Sequence, residues 1–221
     1  MNKKMIIILI MLLLYAGIGI IGNKDSTNKP INANITEEKY IALTFDDGPG
    51  EYTDKLLEGL KERNVKATFF LIGRNAKEYP EVVYKMVQNG NVVGNHTYTH
   101  VKLNELPVED ALSEINKTND LISIITGRSV KYIRPPYGYW NEEIECNISM
   151  KKVLWDVDPR DWCTFNSDCI VKHIVENAKP GNIILLHDIF ETSVDAAFEV
   201  IDILSEQGYK FVTVEDLYRE K

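Results

Sequence analysis

The chain has no surplus of positive charge, few cysteines and few histidines, and each scarcity excludes something. Its 25 Lys and Arg stand against 33 Asp and Glu, a formal net charge of −8 over 221 residues. Such a chain repels a polyphosphate, so nucleic acid is not expected as a partner. Cysteine occurs only at Cys146, Cys163 and Cys169. The absence of any C-x-x-C spacing argues against a cysteine-built metal site, and an odd count leaves at least one thiol over. Cys163 and Cys169 are close in sequence, so they are the expected disulfide pair of an oxidising compartment, with Cys146 free. No internal repeat at fixed period is found. Histidine occurs only four times.

Apolar residues are not scarce. At 44% hydrophobic and 26% charged, the composition supports a substantial core, and the length suits one domain with an appendage. The appendage is N-terminal. Lys3 and Lys4 precede an uncharged apolar run from Met5 to Gly22. As a helix it would span roughly 27 Å at about 1.5 Å per residue, close to the thickness of a bilayer core. The run exceeds a usual signal-peptide h-region and no clear A-x-A-like site ends it, so residues 1–22 read as an uncleaved signal anchor in preference to a cleaved signal peptide. The lysines would stay inside and the rest of the chain outside. Both readings make the domain extracytoplasmic, membrane-anchored or secreted. Residues 23–38 are polar, lack helical periodicity and read as a linker. The domain proper is 39–221.

Within it, β-rich runs alternate with amphipathic stretches. Strands are expected at 40–45, 67–72, 91–95, 131–135, 152–157, 182–187 and 210–214, and helices at 53–64, 80–90, 108–126 and 193–208. Seven strands alternating with helices imply parallel pairing, as an open α/β sheet or a βα-barrel. In such folds active sites gather at the C-terminal ends of the strands. Those ends carry "DDGP" (46–49), "HTYTH" (96–100), "RPPYG" (134–138), "DPRDW" (158–162) and "LLHD" (185–188), after strands one, three, four, five and six. Strands two and seven are expected to contribute nothing comparable.

Each station has an ordinary explanation alone. Asp-Gly and Gly-Pro are turn formers, but a turn needs one acid and this one has two, Asp46 and Asp47. His96 and His100 could be unrelated loop residues. Spaced by four, they would also stack on one face of a helical turn and bind a metal, with Asp47 or Asp46 as third ligand and positions open for water and substrate. Arg134 offers a permanent cation to orient a carboxylate, and the stiff Pro135–Pro136 pair could aim the Tyr137 N–H at an oxyanion. His187 and Asp188 close a buried strand, where a satisfied core histidine is common. His173 reads as a helix-surface residue, and Trp155 and Trp162 as packing or wall residues.

Taken in order, TFDDGP, H-T-x-x-H, R-P-P-Y-G, D-x-x-D-W and L-x-H resemble the five motifs of the polysaccharide deacetylases, carbohydrate esterase family four, over about Lys39 to Lys221. The resemblance implies a distorted (β/α)7 barrel and a metal-dependent hydrolase that removes N-acetyl groups from amino sugars as acetate. It implies one divalent metal, zinc first with cobalt or nickel as alternatives, held by Asp47, His96 and His100. Asp46 would be the general base, kept ionised by Arg134. His187 would be the general acid, oriented by Asp161. The Tyr137 N–H would bind the oxyanion, and Trp162 and Leu185 would receive the acetyl methyl. The expected partner is an N-acetylated glycan, peptidoglycan favoured and chitooligosaccharide or xylan as alternatives, acted on by a monomer. A metal-containing glycan-binding protein without catalysis is the rival of another class. For both acids to reach one site, the first strand is expected to end by Phe45, so that the turn, rather than the pleat, aims them.

Overall fold

Runs of β-branched and aromatic residues become strands here because they are buried, with helices packed against them in one main apolar cluster. The structure, a computed structural model, describes residues 38–219. The expected anchor, residues 1–22, and nearly all of the linker lie outside the described residues. Among the described residues no helix is long and apolar enough to cross a membrane. The strands are β1 (Lys39–Asp46), β2 (Thr68–Leu71), β3 (Val92–Asn95), β4 (Tyr132–Ile133), β5 (Lys151–Lys152), β6 (Ile183–His187) and β7 (Tyr209–Phe211). The helices are α1 (Thr53–Glu62), α2 (Gly73–Glu78), α3 (Pro80–Gln88), α4 (Val108–Thr126), α5 (Glu142–Glu145), α6 (Ser167–Asn177), α7 (Glu191–Glu206) and α8 (Val214–Leu217).

All strand pairs are parallel, in the order β5-β4-β3-β2-β1-β6, with β7 beside the start of β1. β1 is buried at every residue from Ile41 to Asp46, as a central parallel strand should be. The register aligns Asp46 with His187 on β6 and with Phe70 on β2. Phe45 and Phe69 stack at 5.3 Å between ring centroids within the main apolar cluster, which also takes in Leu56, Met86 and Val200 from the helices.

The architecture is an α/β half-barrel of parallel strands, and the expected regular fifth strand is corrected. Only Lys151–Lys152 pairs with β4. The carbonyls of Val153 and Leu154 instead accept hydrogen bonds from the Arg134 guanidinium, at 3.2 and 3.0 Å. Further on, Val157 makes a single parallel bridge to Ile184 of β6, which ties the two edges of the sheet together. β7 also stops early, because the Thr213 hydroxyl caps α8 by accepting the Asp216 N–H.

The expected Cys163–Cys169 disulfide does not form: all three cysteines are unpaired and exposed. Cys169 is built into the first turn of α6, where its N–H donates to the Asn166 side chain, while Cys163 closes a separate turn onto the Arg160 carbonyl. Phe69 is fully buried, so Phe69→Ala is expected to destabilise the domain by about 3–5 kcal/mol, read from the midpoint of urea unfolding.

Candidate active site

The first strand ends one residue later than the sequence suggested. Asp46 is the last residue of β1, and Asp47 adopts a left-handed conformation at φ 72°. Strand alternation would send the two carboxylates to opposite faces. The left-handed residue cancels that reversal, and Asp is among the residues that tolerate it. Both acids therefore approach one imidazole: His96 Nε2 lies 3.7 Å from Asp46 Oδ2 and 3.4 Å from Asp47 Oδ1.

The turn is held from several sides. Asn75 Nδ2, on the helix after β2, donates to the Asp47 carbonyl at 2.7 Å, so strand two does contribute to the site. The Gly50 N–H donates to Thr53 Oγ1, which in turn donates to Asp188 Oδ2 at 2.5 Å. A Cβ on Gly48 would come within 2.3 Å of both Asp188 oxygens, so the turn requires glycine there. Burial pushes the Asp188 carboxyl up to about 7, although the Thr53 hydrogen bond opposes the rise.

His96 and His100 do not lie on a helical turn. They sit in a loop with Thr97 and His100 both at φ 63°. Asn95 Oδ1 accepts the Thr97 N–H at 2.7 Å, and Thr97 Oγ1 accepts the His100 N–H at 3.0 Å. Glu114 of α4 accepts the N–H groups of Tyr98 and Thr99 at 3.0 and 2.7 Å. Sequence reasoning missed both Asn75 and Glu114, since neither belongs to a motif. His96 Nδ1 donates to the Arg134 carbonyl at 2.7 Å; a carbonyl can only accept, so the neutral ring presents Nε2 to the site. His100 Nε2 lies 3.2 Å from Asp47 Oδ1.

One ligand atom from each of Asp47, His96 and His100 falls within 4.8 Å of the others. Asp47 Oδ1 is buried without a hydrogen-bond partner, and a cation would satisfy it. The local charge fits a cation as well. Burial works to raise Asp47, but His96 first and then the other neighbouring histidines bring it down to about 2. Burial works to lower His96, but the Asp46 and Asp47 carboxylates raise it. Two imidazoles and one carboxylate oxygen suit a divalent transition metal with positions left open.

Arg134 is fully buried. It donates to Asp46 Oδ1 at 2.8 Å and to Thr44 Oγ1 at 2.7 Å, and its guanidinium lies 4.3 Å from the Phe70 ring centroid. Opposite, His187 Nδ1 donates to Asp161 Oδ1 at 2.8 Å, and the His187 N–H donates to Asp161 Oδ2 at 2.7 Å. Burial would lower His187, but the hydrogen bond and charge of Asp161 outweigh it and push the imidazole up to about 9. Asp46, Asp47, His96, His100, Tyr137, Trp162, Leu185 and His187 line one cavity of about 370 Å³, joined by Trp155 and Asp158. Arg134 and Asp161 stand behind it. Tyr137, left-handed at φ 59°, packs its ring edge-on to His100 at 4.8 Å. His173, exposed on α6, takes no part.

The chain matches the polysaccharide deacetylase family over residues 33–151. It is 45% identical over 185 residues to the peptidoglycan-N-acetylmuramic acid deacetylase PdaC of Bacillus subtilis, covering 83% of this chain and 40% of that protein. It is 39% identical over 189 residues to a peptidoglycan-N-acetylglucosamine deacetylase of Bacillus cereus, covering 81% of this chain and 68% of the relative. The solved structure of PdaC superposes with a TM-score of 0.81 at 45% identity, over 83% of this chain and 92% of that one. The chain belongs to the polysaccharide deacetylase family. It spans less than half the length of full PdaC. Asp161 and His187 lie beyond the family-matched stretch and reach the site through the loop after β5 and the end of β6.

Glu114 holds the histidine loop without touching the cavity. Glu114→Ala is expected to weaken divalent-cation binding at the candidate site by about tenfold, measured with added zinc by competition with a chromophoric chelator. Unchanged affinity would mean that the loop is held by Asn95 alone.

Proposed function

We propose that this domain is a metal-dependent N-deacetylase acting on amino sugars of cell-wall glycans, peptidoglycan in the first place. The observation that carries the reading is the placement of Asp46 and His187. They are register partners on adjacent strands, and both line the cavity that holds the Asp47, His96 and His100 ligand set.

Hydrolysis of an N-acetyl amide needs a polarised carbonyl, an activated water and a proton for the departing nitrogen. Asp47, His96 and His100 would hold a divalent metal, zinc by preference, which would supply the polarisation and acidify the water. Asp46 takes the proton of the attacking water, while Arg134 fixes its carboxylate by the 2.8 Å hydrogen bond. His187, charged below about pH 9, gives a proton to the sugar nitrogen, which leaves as the amine while acetate is released. Asp161 holds Nδ1 and so directs Nε2 toward the cavity. The Tyr137 N–H stabilises the developing oxyanion, and Trp162 and Leu185 enclose the methyl group. The two peptidoglycan deacetylases named above support an amino sugar as substrate. The apolar run at 5–22 supports an anchored, outward-facing domain within reach of the wall, with residues 39–221 as the catalytic unit.

Acetate release from purified peptidoglycan and from chitin oligomers is expected, and is expected to be lost on chelation and restored by zinc. Release from neither glycan overturns the proposal. Asp46→Asn and His187→Ala should each reduce release by about 10²–10⁴-fold while metal stays bound. Substantial activity in either variant rejects the role given to that residue.

The acid must begin protonated, so the rate should fall as pH rises through about 9, the value His187 reaches beside Asp161. In Asp161→Asn the charge that opposes burial is gone. The alkaline limb of kcat/KM should then move to lower pH by about one unit or more.

A further inference from the structure

Exposed aromatic side chains are spread unevenly over the described residues. Five are exposed: Tyr84, Tyr137, Tyr139, Trp162 and Phe165. Tyr84 lies on α3, but the other four lie on the loops after β4 and β5, and two of them line the cavity. Phe165 is the most exposed of the five, at 75%, and the chemistry above does not use it. Single exposed apolar residues are ordinary, whereas a cluster beside a cavity marks a ligand groove.

The segment that carries Phe165 is anchored at both ends. The N–H groups of Cys163 and Thr164 donate to the carbonyls of Arg160 and Asp161 at 3.1 and 3.3 Å. On the other side Asn166 caps α6 by accepting the Cys169 N–H at 3.1 Å. Asp161, at the first anchor, is fully buried and bonded to His187. The Phe165 ring meets Phe190 edge-on, with centroids 6.5 Å apart at 86°. Phe190 in turn lies 6.3 Å from the His187 ring. An apolar strip therefore runs outward from the proposed acid and ends on an aromatic ring open to solvent.

We infer that Phe165, backed by Phe190, is a sugar-stacking subsite. It receives the apolar face of a pyranose in the same glycan chain, further along from the sugar whose acetyl group enters the cavity. The assignment to glycan rests on the deacetylase reading. The strip starts at His187, the residue facing the sugar nitrogen in that reading, so the covalent continuation of the substrate on this side is the chain itself. A neutral ring presenting C–H groups to an aromatic face also needs no cation from an acidic protein.

The test uses the full-length chain in detergent with its metal. The Michaelis constant for acetate release is measured on peptide-free N-acetylglucosamine oligomers from dimer to hexamer. Affinity for glucosamine oligomers of the same lengths, which carry no acetyl group, is measured by calorimetry. The parent should bind longer oligomers more tightly. Phe165→Ala should weaken the hexamer by about five- to tenfold, with a loss that grows with chain length, and Phe165→Trp should restore it. A loss equal at every length, or no loss, overturns the subsite. Absence of acetate release with the length effect intact on glucosamine oligomers overturns the deacetylase reading and leaves the subsite standing.

Discussion

The site depends on one buried ion pair. A guanidinium taken out of water without partners would cost several kcal/mol, so the structure around Arg134 is arranged to satisfy it. Its nitrogens reach Asp46, Thr44 and the carbonyls of Val153 and Leu154. Three consequences follow from these bonds. Asp46 is fixed in orientation. The two carbonyls are withdrawn from ladder pairing, so the strand after β4 is cut short and the sheet becomes a half-barrel. The Arg134 backbone is held where its carbonyl receives His96 Nδ1, which turns Nε2 toward the candidate metal site. Removing one partner would leave an uncompensated charge inside the fold, so folding and chemistry share this constraint.

A second constraint is backbone strain. Among the described residues six non-glycine positions have positive φ: Asp47, Asn64, Thr97, His100, Tyr137 and Arg160. All but Asn64, which follows α1, belong to the loops at the C-terminal ends of the strands. Thr97 is the least comfortable, since a branched Cβ crowds the left-handed region. Strain of about 1–3 kcal/mol per residue persists only where surroundings over-determine it. Asn95 and Glu114 do that for the histidine loop, and Asn75, Thr53 and Asp188 do it for the acid turn. The polar groups behind the motifs are therefore what allows the motifs to take these conformations.

That division explains what the sequence could reveal. The number and order of the strands, the parallel pairing and the convergence of five stations followed from periodicity and from where polar residues interrupt apolar runs, whereas the fifth and seventh strands are shorter than that periodicity implied. Residue type offered two histidines with Asp46 or Asp47, and only the family resemblance chose Asp47 between them. Backbone reversals were illegible, because Asp47 and His100 look the same in a strand, a turn or a helix. Spacing of four suggested a helical turn for His96 and His100, and only the bonds from Asn95 and Glu114 show why a loop wins. Proximity of Cys163 and Cys169 suggested a disulfide, but the Asn166 cap commits Cys169 to a helix. Asn75 and Glu114 carried no signal, since a single Asn or Glu on an amphipathic helix reads as solvated surface.

The two acids of the opening motif differ in what stands behind each. Arg134 supplies positive charge to Asp46, and Asp161 supplies negative charge to His187, whose imidazole rises to about 9. Hydrolysis of an amide at one pH needs a base that starts empty and an acid that starts loaded, which a symmetric pair of like groups could not provide. In the proposed reaction Arg134 beside Asp46 and Asp161 beside His187 supply that asymmetry, and Asp46 and His187 are held in register on adjacent strands. Asp47 lacks such a partner, and its buried Oδ1 is without a hydrogen bond. Its place between two imidazoles makes a cation the group that completes it. Two neighbouring acids thus meet different surroundings because the left-handed residue between strand and turn brings them to the same centre with different neighbours.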